Sequence, residues 1–356
     1  MDSNIIKLLK EESQRQNETI NLIPSENFVS KNVLAVLGSV LTNKYAEGKS
    51  HQRYYFGNEI VDKIEDETKN LVYKVFEISD KEWGVNVQPY SGSIANLAAY
   101  LGVLELGDKV LAMSLEHGGH LTHGHKVSFT GKLFKFEHYG VGEDGLLNYE
   151  NILEQAKKFK PKLIVAGATA YPRIIDFKKF KEIADSVGAK LMVDLSHIAG
   201  LVAGGAHPSP FSYADIVTTT THKTLRGPRG AIIISKKELS ENIDKAVFPG
   251  LQGGPQLHTI AAMGVSLEET SQPSFKEYAE QIVKNSKALA SELTNFGFSV
   301  VSDGTDNHLM LIDVTPLKLT GAEAGKKLEE VGIIVNKNMI PFDPLDGAKV
   351  FSALFA

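Results

Sequence analysis

Five short apolar runs, at 108–113, 163–167, 190–194, 215–219 and 231–235, constrain this chain more than any other feature. Bounded by turn residues, they read as strands covered on both faces. Stretches with helical spacing, at 149–159 and 177–187, lie among them. Strands alternating with helices predict an α/β domain with a mainly parallel sheet flanked by helices. In such sheets ligands bind beyond the carboxyl ends of the strands. Ser91, Asp194, His197 and Lys223 all fall at or just past a predicted strand end.

Around this centre the chain divides into three parts. Residues 1–58 hold a polar helix over 1–20, with Ile5, Ile6, Leu8 and Leu9 as its apolar positions, and then aromatic and polar clusters without periodicity. Loops of that kind carry binding groups on a rigid scaffold. Residues 59–272 form the large domain, opening with a helix over 59–78. The helix that starts at Ser91-Gly92-Ser93 is expected to bury Ile94, Leu97, Ala98, Leu101 and Leu104. A helical stretch over 257–296 is interrupted at Gln272-Pro273, which marks the boundary to a small α+β domain at 273–356. Its pattern is strand 298–302, strand 308–314, helix 321–331 and strand 333–336.

Composition removes several classes of function. With no cysteine among 356 residues there are no disulfides, thiolate metal sites or cysteine nucleophiles. A net charge of -5 supplies no electrostatic reason for a nucleic acid or anionic membrane partner. No apolar run approaches the length of a membrane span. The N-terminus resembles neither a signal nor a transit peptide, so the expected compartment is the cytoplasm.

The segment Thr218-Thr219-Thr220-Thr221-His222-Lys223-Thr224-Leu225-Arg226-Gly227-Pro228-Arg229-Gly230 joins two apolar strands. A lysine held there can lose its proton to burial and cationic neighbours, and a neutral amine can condense with an aldehyde such as pyridoxal phosphate (PLP). A solvated loop lysine is the alternative. Ser91-Gly92-Ser93 at a helix N-terminus suits a phosphate, and also an ordinary helix cap. Asp194, directly after a strand, could keep a pyridine nitrogen protonated or cap the next turn. The histidines of Leu115-Glu116-His117-Gly118-Gly119-His120-Leu121-Thr122-His123-Gly124-His125 match no metal-ligand spacing. They fit a loop that approaches a planar ligand, and no metal is expected.

Five motifs in order resemble those of serine hydroxymethyltransferase. They are Leu22-Ile23-Pro24-Ser25-Glu26-Asn27, Leu41-Thr42-Asn43-Lys44-Tyr45-Ala46-Glu47-Gly48, the His117–Gly124 run, the Lys223 segment, and Phe248-Pro249-Gly250-Leu251-Gln252-Gly253-Gly254-Pro255. The resemblance implies a PLP-dependent transferase of fold type I, usually a homodimer or dimer of dimers. Its reaction interconverts serine plus tetrahydrofolate with glycine plus 5,10-methylenetetrahydrofolate. By motif match, Lys223 would hold PLP as a Schiff base, Asp194 would pair with the pyridine nitrogen and His120 would stack on the ring. Ser91, Gly92, Ser93, Thr220 and His222 would surround the phosphate, with Tyr45, Gly253 and Gly254 reaching it from a second subunit. Thr169, where the family usually has serine, and His197 would complete the cofactor contacts. Glu47 would manage protons, Ser25 and Tyr55 would complete the substrate pocket from the neighbouring subunit, His197 would contact the cofactor's phenolic oxygen or the substrate carboxylate, and Leu115, Gly119 and Leu121 would line the folate site. Arg229 would steady the lysine loop.

Two departures concern the C-terminal part and position 90. Tyr90 precedes Ser91 where the family often has histidine. No arginine follows Arg229 in these 356 residues, whereas the family places a carboxylate-gripping arginine beyond the segment ending at Pro344. The resemblance therefore also implies a shortened small domain. The alternative to an active enzyme is a homologue that binds PLP with impaired turnover.

Overall fold

The computed structural model describes residues 3–343 and the backbone of 353–355. The strands of the large domain are β1 (Trp83–Asn86), β2 (Lys109–Met113), β3 (Lys135–Tyr139), β4 (Leu163–Ala166), β5 (Lys190–Asp194), β6 (Ile216–Thr220) and β7 (Ala231–Lys236). They form one seven-stranded sheet in the order β1-β7-β6-β5-β4-β2-β3. β7 runs antiparallel to both β1 and β6, and the other pairs are parallel. Reversing twice restores direction, so β1 points the same way as β6. The carboxyl ends of β1, β2, β4, β5 and β6 therefore open on one edge of the sheet.

β4 and β6 are buried at every residue, which is why their apolar runs stand out in the sequence. β3, Lys-Phe-Glu-His-Tyr, was not legible as a strand. It is the sheet's edge, mostly exposed, and an edge strand does not need an apolar run.

Helices cover both faces. Tyr149–Phe159 and Phe177–Val187 occupy the expected spans. The break at Gln272-Pro273 separates Leu257–Thr270 from Pro273–Asn295, with proline in the first turn, where its missing N–H costs nothing. Gly92–Val103 departs from the expected burial pattern. Ala95, Asn96, Ala98, Ala99 and Tyr100 face inward, whereas Ile94, Leu97 and Leu101 are only partly buried. The close approach of this helix to the sheet favours alanine on its inner face and places a polar Asn96 inside.

The N-terminal arm is mostly loop, with helices at Asn4–Glu18 and Lys31–Leu37. It is anchored at two points. Ile20–Asn21 pairs in parallel with Ile333–Ile334. Farther along, the Arg53 guanidinium meets Asp62 at 2.8 Å and Glu65 at 2.7 Å, and donates to the carbonyls of Ala46 and Gly48. Gly48 has φ +103, and a Cβ there would lie 2.4 Å from the Gln52 carbonyl oxygen, so this turn requires glycine.

The small sheet has the order Ser299–Val300, Leu311–Asp313, Ala353–Phe355, Asn336–Asn338. The expected strand over 333–336 is thus divided, its first half serving the arm and the part from Asn336 joining this sheet. Ala353–Phe355, outside the strands expected from the sequence, pairs antiparallel with strands on both sides. Residues 344–352, including most of the tail read from the sequence, lie outside the described residues.

Candidate active site

Asp194 ends β5 and Thr218 on β6 lies beside it in register, so the strand ladder sets the depth of the carboxylate. It is buried and fully engaged. Oδ1 accepts from the Ser196 backbone N–H at 3.0 Å, and Oδ2 from Asn96 Nδ2 at 2.8 Å and His123 Nε2 at 3.3 Å. Burial pushes the Asp194 carboxyl up, but the hydrogen bond and charge of His123, together with His120, outweigh it and hold the group well below the carboxylate range. The site therefore keeps a buried negative charge.

Lys223 follows β6. Its loop is pinned on both sides: the Lys223 carbonyl accepts from Asn27 Nδ2 at 3.0 Å and from the Arg226 backbone N–H at 3.0 Å. The next residue, Thr224, donates its hydroxyl to the His197 carbonyl at 2.8 Å. Asn27 also donates to the Tyr278 hydroxyl, and the Arg226 guanidinium lies 4.8 Å from the centre of the Tyr278 ring. Arg226 thus packs against the loop's anchor, while Arg229 is exposed and acts on Lys223 through charge. Burial lowers the Lys223 amine from its ordinary value; Asp194 opposes that shift and Arg229 adds to it. These are the conditions that make a lysine a nucleophile.

The neighbouring imidazoles are neutral for related reasons. His222 is lowered to about 4 by burial, with Lys223 and Arg229 adding to the effect. His120 is lowered to about 4 by burial, helped by His123 and Lys223 and opposed by Asp194. His197 Nδ1 lies 3.3 Å from His308 Nε2, and burial and Lys223 lower both rings. His308 was missed from sequence because nothing local connects it to Lys223.

At the same edge of the sheet, Ser91 caps Gly92–Val103, its hydroxyl accepting from the Ile94 N–H. A Cβ on Gly92 would lie 2.7 Å from Thr220 Cγ2, so the helix start and the β6 end form a cradle that tolerates only glycine. Thr220 is tied to Ser196 through its N–H at 3.2 Å. Thr169 donates its backbone N–H to the Gly118 carbonyl at 2.7 Å. Gly119 lies against Met113, where a Cβ would come within 2.1 Å of a carbonyl oxygen. Leu115 stands in the short helical turn after β2, and Leu121 is exposed beside it.

A second group gathers elsewhere on the chain. The rings of Tyr45 and Tyr55 meet edge-on at 5.2 Å, and Glu47 raises the Tyr55 hydroxyl. A Cβ on Gly253 would lie 3.2 Å from Glu47 Oε1, and Gly254 faces both Tyr45 and Glu47. Tyr90 ties this group to the start of the helix cradle, its hydroxyl donating to the Gly254 carbonyl at 2.6 Å. Tyr45 and Tyr55 are exposed. Among the described residues, no hydrogen bond or ion pair joins Tyr45, Glu47 or Tyr55 to Lys223, Asp194 or His120. Ser25 is half-buried on the arm, in a groove it shares with His222 and Arg229.

These residues fit PLP. The helix N-terminus and glycine cradle suit a phosphate, Asp194 stays ionised to meet a ring nitrogen, and Lys223 offers an amine of lowered basicity. Among the described residues, the buried Nδ1 of His222 has no hydrogen-bond partner, and an orphan polar atom of this kind suits a bound anionic ligand. Among the described residues, no group of three or more histidine or acidic side chains could hold a metal ion. No described helix is long and apolar enough to cross a membrane. Against known families, the model described as serine hydroxymethyltransferase matches residues 1–354 of the chain.

Proposed function

This chain belongs to the serine hydroxymethyltransferase family, PLP-dependent transferases of fold type I, and from that premise we propose that its own residues carry the interconversion of serine and glycine with tetrahydrofolate as one-carbon acceptor. The observation that carries the reading is the pairing of a lysine of lowered basicity with an ionised, buried Asp194 at one edge of the sheet.

When bound, PLP supplies an electron sink for the carbanion left on the amino acid. The protein's part is positional and electrostatic. Lys223 holds the cofactor's aldehyde end, and the Asn27 and Thr224 contacts fix the reach of its side chain. Asp194 would maintain the positive charge on the ring nitrogen. His120 would stack on the ring, and Thr169 and His197 would hold its polar edge. Ser91, Gly92, Ser93, Thr220 and His222 would bind the phosphate. Ser25 and His197 orient the amino acid, while Leu115, Gly119 and Leu121 form the apolar wall for folate. Glu47 moves the proton of the substrate hydroxymethyl group, with Tyr55 beside it.

The group of exposed Tyr45, Tyr55 and Gly253 with half-buried Glu47 and Gly254 serves the site of a second copy in a homodimer or dimer of dimers. In this reading the chain divides at 58 and 272 into an arm, a large domain that binds the cofactor, and a small domain.

Titration with PLP tests the reading. A visible absorption band that serine and glycine perturb, together with tetrahydrofolate-dependent formation of glycine from serine, is expected. Serine cleavage that ignores tetrahydrofolate would overturn it in favour of a simple aldolase. The second reading carried from the sequence is PLP binding with impaired turnover. Weak perturbation of the band by glycine would favour that reading.

A further inference from the structure

The hydrogen bonds around Asp194 form a directional network that reaches His120. The carboxylate can only accept, so the nitrogen of the Asn96 side chain must face it, at 2.8 Å from Oδ2. The Asn96 oxygen is then the acceptor for the Thr218 hydroxyl, at 2.7 Å. The second hydrogen of the same amide goes to Thr122 Oγ1, at 2.8 Å. Thr122 has one hydroxyl proton, and its remaining partner is His120 Nδ1 at 2.7 Å. The Thr122 backbone N–H points at the same Nδ1 from 3.2 Å. Two donors therefore converge on His120 Nδ1, and an N–H there would face both. All four polar partners, Asn96, Thr122, Asp194 and Thr218, are buried.

We propose that Asn96 and Thr122 are positioning residues that hold the His120 ring neutral, with its proton on Nε2, so that Asp194 keeps its charge for the cofactor's ring nitrogen. The functional clause rests on the PLP reading above; the tautomer does not. The charged or titratable groups facing His120 are Asp194 from β5, His197 from the turn after β5, Lys223 from the loop after β6 and His123 from its own loop. His123 obeys the same logic: its Nδ1 accepts from the His120 backbone N–H at 3.2 Å, which leaves Nε2–H to donate to Asp194. A protonated His120 would compete with the ring nitrogen for Asp194. Burial, which lowers His120 to about 4, acts in the same direction as the two donors.

The test is nitrogen NMR of the full chain labelled with ¹⁵N-histidine, PLP-loaded and PLP-free, with the His120 signals identified by their loss in His120→Asn. An unprotonated Nδ1 and a protonated Nε2 are expected from pH 6 to 8. In Thr122→Val the ring should titrate higher by up to about one pH unit, since a donor to its neutral form is lost, and Thr122→Ser should restore it. An Nδ1–H tautomer or an imidazolium at pH 7 in the unmodified protein would overturn the proposal whether or not any variant folds. Identical titration in Thr122→Val would also overturn it. Failure to take up PLP while the Nε2–H tautomer persists would sink the cofactor reading alone.

Discussion

The group around Lys223 and the group around Glu47 are built in opposite ways. The first is buried, and its charges are set by desolvation and by partners on strands and loops far apart in sequence. The second lies on exposed aromatic loops, and its shape depends on one buried ion-pair cluster. Arg53, almost entirely buried, holds the loop carrying Glu47 against Asp62 and Glu65. Gln88 completes the anchor by donating to Glu65 and to the Gly48 carbonyl. A group that prepares a cofactor can be finished within one chain. Under the proposed homodimer, a group that handles a substrate for a second copy must be presented outward, and rigidity then has to come from beneath.

The largest effect that separates them is expected from Lys223→Ala. Turnover should fall by about 10³-fold or more, and the visible PLP band should disappear, while the fold remains. Survival of the full band would mean that another amine holds the cofactor. Glu47→Gln should cost about 10²- to 10⁴-fold in turnover with PLP retained. Co-expressing the two inactive variants sharpens the comparison. If the exposed group serves a neighbour, random pairing should restore about a quarter of normal activity, because one mixed site holds both intact residues. No recovery would place Glu47 and Lys223 of the same chain in one site.

Arg53→Met should strike the exposed group from below. Breaking this buried cluster leaves Glu65 with Lys69 at 2.7 Å and Asp62 with His51 at 3.7 Å as their remaining charged partners, a loss of up to about 3–5 kcal/mol by urea unfolding, with the Lys223 pocket still able to bind PLP. An unchanged urea midpoint would show that the loop is held by something other than the arginine.

The smallest effect concerns pH. His120 and His222 titrate near 4 when folded, below the ordinary histidine value of 6.5. Between those values the unfolded chain binds more protons, so the stability from these neutral rings is complete above pH 6.5 and is lost as pH falls towards 4. Unfolding free energies at pH 7 and pH 5 should differ by on the order of 1 kcal/mol for each ring. Equal stabilities would mean that the rings are already charged, or solvated, in the folded state.

Much of the large domain was legible because its signals are local. Buried strands are apolar at consecutive positions, and Pro273 and Gly92 mark helix starts within a residue. The positions of Asp194 and Lys223 at strand ends could be read for the same reason. β3 could not, because an edge strand carries lysine, glutamate and histidine at exposed positions. Neither could Asn96: periodicity favoured Ile94 and Leu97 as the buried face, and the helix instead turned its small residues and one amide inward.

The sequence by itself determined the alternation of strands and helices, the cofactor-type lysine loop and the motifs of the family. Those features depend on residues within a few positions of one another. Only the tertiary structure decided which groups meet. Asn96 reaches Asp194 across 98 residues, and Asn27 reaches the Lys223 carbonyl across 196. No local preference encodes such contacts. They arise because burying the sheet brings its carboxyl ends together, and each polar group carried inside must then find a partner.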